Sequence, residues 1–403
     1  MRSDLLRGLR IPLYWPAILP TAGLLLIGLG VLSGLEVRLG LNWVDDWHVK
    51  QMIGIAVGLA AAVAFVVVPY KTIIGRAYLL YGATLVLLVL VLVLGTERNN
   101  ARRWIALPGV EFQPSELMKL ALVITLARYI RFRSSYKTFR GLFTPFLLTL
   151  LPMGLILIQP DLGTALLFIP VLFTMLFAAG ARPRHLLLVI LLGAAGILPL
   201  YQWGLKPYQK ERIDGFLVQL GVMDADRGSA KAKGDDAARL KAEAGRLKAM
   251  AKDENYQLEQ SKIAVGAGGF LGADEEGAGG QVLYRVPERQ TDFVFSALAN
   301  RWGFVGGLLV VGLLGWLLVS ILAVAARHRD PAGRLLCLGV FAMLAGQAFI
   351  NLAMTVGLMP VTGLTLPFLS YGRSSLVVCM LGVALVCNVA ARPAYDFGRG
   401  DFD

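Results

Sequence analysis

The sequence predicts an all-α polytopic membrane protein with about ten transmembrane helices, both termini in the cytoplasm and one large extracytoplasmic loop. Of its 403 residues, 56% are hydrophobic and 16% are charged, whereas soluble domains carry about 25% charged residues. Mean hydropathy is +0.64. Apolar runs long enough to cross a bilayer recur along the whole chain, so we expect residues 1–403 to form a single membrane domain. The predicted spans are residues 14–34, 51–69, 77–95, 114–130, 144–159, 164–180, 186–203, 293–325, 335–357 and 374–391.

The distribution of Lys and Arg predicts the orientation. Alternate short loops collect most of the cations, and this side is expected to face the cytoplasm. The net charge of +12 then indicates topology and attraction to anionic membrane lipids. No basic soluble domain is present, so we expect no nucleic-acid partner. The cations on this side include Arg2, Arg7, Arg10, Lys71, Arg76, Arg128, Arg131, Arg133, Lys137, Arg140, Arg182, Arg184, Arg327, Arg329 and Arg334.

The large predicted loop, residues 204–292, is about 90 residues long, too long for a passive linker in a compact protein. Its part 228–254 is rich in Ala, Lys, Asp and Arg and is predicted to be a solvated helical insertion. Glu288, Arg289 and Asp292 cluster just before the next span. A carboxylate at the edge of a membrane is costly to desolvate, so Asp292 is a functional candidate.

Basic residues also occur on the predicted outer face, against the usual charge rule for membrane proteins. Arg103 and Arg212 are two of them, and they suggest an anionic ligand on this side. The segment 99–109 is polar, basic and amphipathic, and it predicts a short helix lying flat on the membrane.

Glu116 and Lys119 are three residues apart near the start of a predicted span, so they share a helix face and can pair. Pro114 suits the first turn of that helix. Two interpretations stay open: a structural ion pair that holds two helices together, or a lysine that offers positive charge to a phosphate while Glu116 holds it in place.

Asp161 lies in the tight connection 159–164 between two spans. It suits a helix cap, and it could instead orient a cation or a sugar hydroxyl. The stretch 357–372 contains three glycines and two prolines within apolar sequence. Broken backbone at membrane depth is tolerated only where protein buries it or a cavity is lined, so we expect this stretch to form a wall of the site.

Six motifs occur in a fixed order along the chain, and together they resemble the SEDS family (shape, elongation, division and sporulation proteins), more closely its RodA branch than its FtsW branch. The motifs are Arg102-Arg-Trp-Ile105, Phe112-Gln-Pro-Ser-Glu116 with Lys119, Gln159-Pro-Asp-Leu-Gly-Thr164, Tyr256-Gln with Ser261-Lys-Ile-Ala-Val-Gly-Ala-Gly-Gly269, Pro287-Glu-Arg-Gln-Thr-Asp-Phe293 and Pro360-Val-Thr-Gly-Leu-Thr-Leu-Pro-Phe-Leu-Ser-Tyr-Gly372.

The resemblance implies a peptidoglycan glycosyltransferase of the cytoplasmic membrane that polymerises lipid II on the outer face for cell elongation and shape. It also implies a class B penicillin-binding protein, a transpeptidase, as partner. The family's essential aspartate falls on Asp292, its acid–lysine pair on Glu116 and Lys119, and its outer-loop aspartate on Asp161. A divalent cation could accompany the substrate's pyrophosphate, although the sequence shows no dedicated ligand cage.

Two residues depart from the family pattern. Asn300 stands where the family usually has the second residue of a Glu-Glu pair, and Arg373 replaces a glycine after Ser-Tyr-Gly. Both changes alter the charge balance expected near the site.

In the expected reaction, Asp292 is the general base, and Lys119, Arg212 and Arg103 stabilise the leaving pyrophosphate. Two other classes fit a polytopic chain: a lipid II flippase, and a non-catalytic scaffold for a cell-wall synthase. The polar candidates gather on one face and no inverted repeat is visible, which favours the enzyme over the transporter.

Overall fold

The computed structural model describes residues 14–36, 47–98, 101–107, 110–131, 138–199, 256–274 and 277–392, and these are mostly helical. Each predicted span overlaps a helix of the described part, and seven helices of that part are long and apolar enough to cross a membrane. The protein is therefore a multi-pass membrane protein, while the count of ten spans and their orientation stay predictions. The helices are α1 (Trp15–Glu36), α2 (Trp47–Val67), α3 (Tyr70–Gly75), α4 (Ala77–Leu94), α5 (Pro114–Arg131), α6 (Phe143–Ile158), α7 (Leu162–Ala178), α8 (Pro183–Pro199), α9 (256–267), α10 (Ala278–Gln281), α11 (Val294–Arg327), α12 (Pro331–Thr355) and α13 (Arg373–Ala391).

A small antiparallel sheet interrupts the helical architecture between α4 and α5. It comprises β1 (Thr96–Arg98), β2 (Ala101–Leu107) and β3 (Val110–Phe112), with β2 in the middle. The expectation of a short helix over 99–109 is therefore wrong. Aromatic and β-branched residues suit a strand, and pairing with both flanking strands satisfies the β2 backbone.

The centre of the bundle is formed by α5, α12 and α13, most of whose residues are buried. The helices α2, α4 and α8 instead expose many large apolar side chains, as lipid-facing helices do. Helices in a membrane are held together by close packing and by interhelical hydrogen bonds rather than by the hydrophobic effect. The polar side chains of the central helices therefore matter for the fold as well as for chemistry.

Helix α11 is broken at Gly303, whose φ is 66° and ψ −162°. The loop before it supplies hydrogen bonds at the break: Ala273 N donates to Asn300 O at 2.8 Å, and Phe304 N donates to Gly269 O at 2.9 Å. Residues 269–273 of the outer loop are thus hydrogen-bonded to the backbone of α11 at its break. These bonds fix the short helical stretch that precedes Gly303.

A non-helical stretch, residues 356–372, joins α12 to α13; it is called the connecting segment below. Gln51 of α2 donates from Nε2 to Ser370 O at 3.0 Å, and Leu366 N donates to Ser370 Oγ at 2.8 Å. At the far end of α13, Asn388 Nδ2 donates to Phe65 O and Val68 O, both at 2.6 Å. Buried side chains therefore satisfy backbone carbonyls at both ends of α13.

We expect Gly303→Ala to destabilise the protein, because a Cβ at this position would lie 2.4 Å from Gly272 N and the positive φ disfavours any side chain. The expected loss in free energy of unfolding is about 1–3 kcal/mol or more, measured by denaturant titration in detergent. Gly312→Ala is the matched control in the same helix, because a Cβ there meets no atom within 4 Å among the described residues. Equal stability of the two variants would contradict the described break.

Candidate active site

Asp292 lies in the turn that leads into α11 and is partly buried. Its backbone N–H donates to Glu288 O at 3.1 Å, and its carbonyl accepts from Asn351 Nδ2 at 2.9 Å. A Cβ built on Gly363 would lie 3.7 Å from Asp292 Oδ2. The carboxylate therefore faces the connecting segment at a residue that has no side chain.

Burial raises the pKa of the Asp292 carboxyl to about 7, and the nearby Glu288 and Asp161 carboxylates raise it as well. The Arg103 guanidinium and a hydrogen bond from Thr291 act in the opposite direction. Four of the residues predicted for the site thus interact electrostatically. A carboxyl with this pKa exchanges a proton readily near neutral pH.

Asp161 caps α7, which confirms the capping role expected from the sequence. Its Oδ1 accepts from Thr164 N at 3.2 Å, and its Oδ2 accepts from Thr164 Oγ1 at 3.0 Å and from Gln113 Nε2 at 3.1 Å. Arg103 Nη1 lies 3.9 Å from Oδ1. Asp161 is almost fully buried, so its carboxylate joins α7, the start of α5 and strand β2.

Arg103 connects the sheet to the α6–α7 turn. Its Nε donates to Gln159 O at 2.9 Å, and its Nη2 contacts Pro160 O. The guanidinium also acts on Asp161 and Asp292, so its positive charge influences both carboxylates. Arg103 lies in strand β2 and not in the predicted helix, and its location on the outer face stays a prediction.

Glu116 and Lys119 pair as their spacing predicted, with 2.7 Å between Glu116 Oε2 and Lys119 Nζ. Lys119 is 2% exposed, and its Nζ also donates to Gln347 Oε1 at 3.0 Å. Gln347 Nε2 in turn donates to Thr365 O at 2.9 Å and to Ser375 Oγ at 3.1 Å. The geometry is that of the structural ion pair, and the role in phosphate binding stays a prediction.

Glu288 and Arg289 lie in the same turn as Asp292. Glu288 is exposed and has a φ of 46°, and its Oε2 accepts from Thr291 Oγ1 at 3.0 Å. Arg289 is partly buried. Arg212 and the predicted insertion 228–254 lie outside the described residues.

Sequence reasoning missed Gln347 and Asn351, which contact the connecting segment and Asp292. Both are amides inside an apolar span, four residues apart and therefore on one helix face. That spacing was the available signal, because polar residues inside spans are functional candidates.

A resident metal ion needs several carboxylate, imidazole or thiolate ligands close together. No group of three or more His, Cys, Asp or Glu side chains within the described ranges could hold a metal ion. The carboxylate of Asp161 already accepts hydrogen bonds from Thr164 and Gln113. The described side chains therefore do not build a resident metal site, and the cation expected at a substrate pyrophosphate stays a prediction.

We expect Lys119→Met to lower the free energy of unfolding by about 3–5 kcal/mol, because it leaves Glu116 buried without its partner. The double variant Glu116→Gln, Lys119→Met should recover most of that loss, because it removes both charges. Both variants would be compared with wild type by denaturant titration in detergent. A stable Lys119→Met protein with weakened lipid II binding would instead support the phosphate-binding interpretation.

A family model for cell cycle proteins of the FtsW, RodA and SpoVE type matches residues 18–225 and 241–395. The chain is 35% identical over 353 residues to the probable peptidoglycan glycosyltransferase FtsW of Trichlorobacter lovleyi, covering 85% of this chain and 83% of that protein. It is 32% identical over 371 residues to the peptidoglycan glycosyltransferase MrdB of Escherichia coli, covering 92% of each.

Solved structures agree with these relatives. The rod shape determining protein RodA of Thermus thermophilus is 30% identical and superposes with a TM-score of 0.64, over 95% of this chain and 98% of that one. A chain from work on the coordination of polymerization and crosslinking by a peptidoglycan synthase complex is 36% identical, with a TM-score of 0.71 over 93% of this chain and 97% of that one. The chain therefore belongs to the FtsW, RodA and SpoVE family of cell cycle proteins.

Proposed function

We propose that this protein is a peptidoglycan glycosyltransferase that polymerises lipid II on the outer face of the cytoplasmic membrane, in the service of cell elongation and shape. The names of its relatives support the enzyme class. The observation that carries the chemistry is the Asp292 carboxyl, partly enclosed, with a pKa raised to about 7 and a guanidinium nearby. A general base works best when its pKa lies near the working pH.

In the proposed reaction, Asp292 takes the proton from the 4-hydroxyl of the acceptor sugar. The freed oxygen attacks the anomeric carbon of the donor sugar, and the bond from that carbon to the pyrophosphate oxygen breaks. The polyprenyl pyrophosphate leaves with the bonding electrons. With one base and no carboxylate nucleophile, the configuration at the anomeric carbon inverts, by the displacement logic of inverting glycosidases.

The leaving pyrophosphate requires positive charge. Arg103 is partly buried and acts electrostatically on Asp292, and Arg289 is partly buried in the same turn as Asp292. These observations support Arg103 and Arg289, together with Arg212, as the cations that stabilise the pyrophosphate. Lys119 is enclosed by Glu116 and Gln347 in the described conformation. We therefore assign Lys119 to holding the site in shape, and a direct phosphate contact would need these partners to move.

The proposed partner is a class B penicillin-binding protein, whose transpeptidase activity would cross-link the new strands. The similarity to a chain studied in a peptidoglycan synthase complex that coordinates polymerization and crosslinking supports this assignment. The polymerised strand is the substrate that a cross-linking enzyme consumes, which gives the two activities a reason to be adjacent.

We expect Asp292→Ala to abolish polymerisation while folding and lipid II binding remain. Purified wild type and variant would be incubated with lipid II in detergent, with and without a class B partner, and the polymer resolved on gels. Asp274→Ala, at an exposed aspartate of the same loop, is the control and should stay active. Polymer from a folded Asp292→Ala protein would reject the assignment of the base, and an inactive wild type in the presence of its partner would favour a flippase, tested by translocation in liposomes.

The polymerisation rate should rise with pH through about 7, because Asp292 must be ionised to accept a proton and burial raises its pKa to about 7. An unperturbed aspartate would give a flat rate between pH 6 and 8. Arg103→Gln removes a charge that lowers the pKa of Asp292, so the acid limb should move to higher pH. Arg102→Gln, at the exposed neighbouring position in β2, should leave the limb in place; an identical shift in both variants would contradict the role of Arg103.

A further inference from the structure

Two amide side chains of α12 lie beneath the connecting segment. Gln347 and Asn351 are both fully buried and share a helix face because they are four residues apart. Gln347 donates hydrogen bonds to Thr365. Asn351 donates to the carbonyl of Leu364, which precedes Thr365, and also to the carbonyl of Asp292. The proposed base and the connecting segment are therefore fastened to the same turn of α12.

The contacts of Asn351 define which of its atoms matters. Its Nδ2 donates to Asp292 O at 2.9 Å and to Leu364 O at 2.6 Å. An oxygen in that position would face two carbonyl oxygens, so the nitrogen is required there. Its Oδ1 has no hydrogen-bond partner among the residues that the structure describes, and a buried acceptor without a partner costs stability. The benefit of this side chain thus comes from its two donated bonds.

We propose that Asn351 is a positioning residue for glycosyl transfer, which ties the backbone of Asp292 to that of Leu364 and so holds the Asp292 carboxylate beside Gly363. This inference rests on the proposed function. Gly363 is adjacent to Leu364, and a Cβ there would lie 3.7 Å from Asp292 Oδ2. The Asn351 side chain therefore fixes the position of the Asp292 backbone and that of the part of the connecting segment that the carboxylate faces.

Positioning of this kind affects the chemical step more than substrate binding. A base displaced by about 1 Å loses about a hundredfold in rate, and catalytic groups depend on neighbours that lock their backbone and side-chain geometry. Asn351 donates its hydrogen bond to the backbone carbonyl of Asp292 and not to the carboxylate, so its proposed role is to position the base and not to transfer the proton. Its loss should lower kcat while KM stays near the wild-type value.

The test compares wild type with Asn351→Leu, which has similar volume and no donor. Polymerisation of lipid II by the purified proteins with a class B partner would be measured over substrate concentration and pH. We expect kcat to fall by about a hundredfold with little change in KM. The acid limb of the kcat profile should move to lower pH, because a loosened segment lets water reach Asp292 and burial is the main cause of its raised pKa.

Asn388→Leu is the matched control. Asn388 is also fully buried, and its Nδ2 also donates to two backbone carbonyls, those of Phe65 and Val68. It lies near the other end of α13, and its hydrogen bonds join that end to Phe65, Val68, Tyr70 and Arg392. This variant should melt at a lower temperature than wild type, while its kcat and its acid limb stay unchanged.

The outcomes separate the inference from the proposed function. An active wild type beside an Asn351→Leu variant with unchanged kcat and acid limb overturns the inference alone. Wild type that makes no polymer with its partner rejects the proposed function and the inference with it. If Asn351→Leu does not fold, Asn351→Ser, which keeps one donor, should show the same fall in kcat and the same shift. Failure of both variants to fold while Asn388→Leu folds would overturn the inference in favour of a purely structural role.

Discussion

The structure depends on how the peptide groups of one non-helical segment find hydrogen-bond partners inside a membrane protein. The connecting segment forms no helix over residues 356–372, and its peptide groups cannot be left unpaired away from water. Buried side chains of two helices supply the missing donors: Gln51 bonds Ser370, Gln347 bonds Thr365, and Asn351 bonds Leu364. The segment can then pass close to Asp292 without the hydrogen-bond pattern of a helix.

This requirement also accounts for the buried ion pair. Gln347 uses its nitrogen for the connecting segment, so its oxygen needs a donor, and Lys119 provides one. A buried lysine requires a counter-charge, which Glu116 provides at 2.7 Å. Removing any one of Glu116, Lys119 and Gln347 leaves a buried polar group unpaired, which costs more than the bond itself contributes. The three residues therefore act as one unit that supports the segment above them.

The features that could be predicted from the sequence are those that depend on the spacing of residues within one helix. Glu116 and Lys119 share a helix face, and Asp161 precedes a helix, so pairing and capping follow from helix geometry alone. The convergence of Arg103, Asp161 and Asp292 was not predictable in the same way, because it requires β2, the α6–α7 turn and the start of α11 to meet. The family resemblance indicated Asp161 and Asp292, but it gave no partner for either. Segment 99–109 was predicted wrongly because its amphipathic pattern is too short to distinguish a helix from a strand that gains its stability by pairing.

Asn300, like the other buried amides, donates hydrogen bonds to backbone carbonyls. Its Nδ2 donates to Ala264 O at 2.9 Å and to Gly279 O at 3.1 Å, which ties the outer loop to the helix that follows Asp292. A side-chain amide nitrogen carries two donors without a charge, and an ionised glutamate carries none. A glutamate at this position would place a carboxylate against two carbonyl oxygens in a buried place, unless the loop were arranged differently. A neutral donor at Asn300 therefore joins the outer loop to α11, and a second neutral donor, Asn351, bonds the backbone of Asp292.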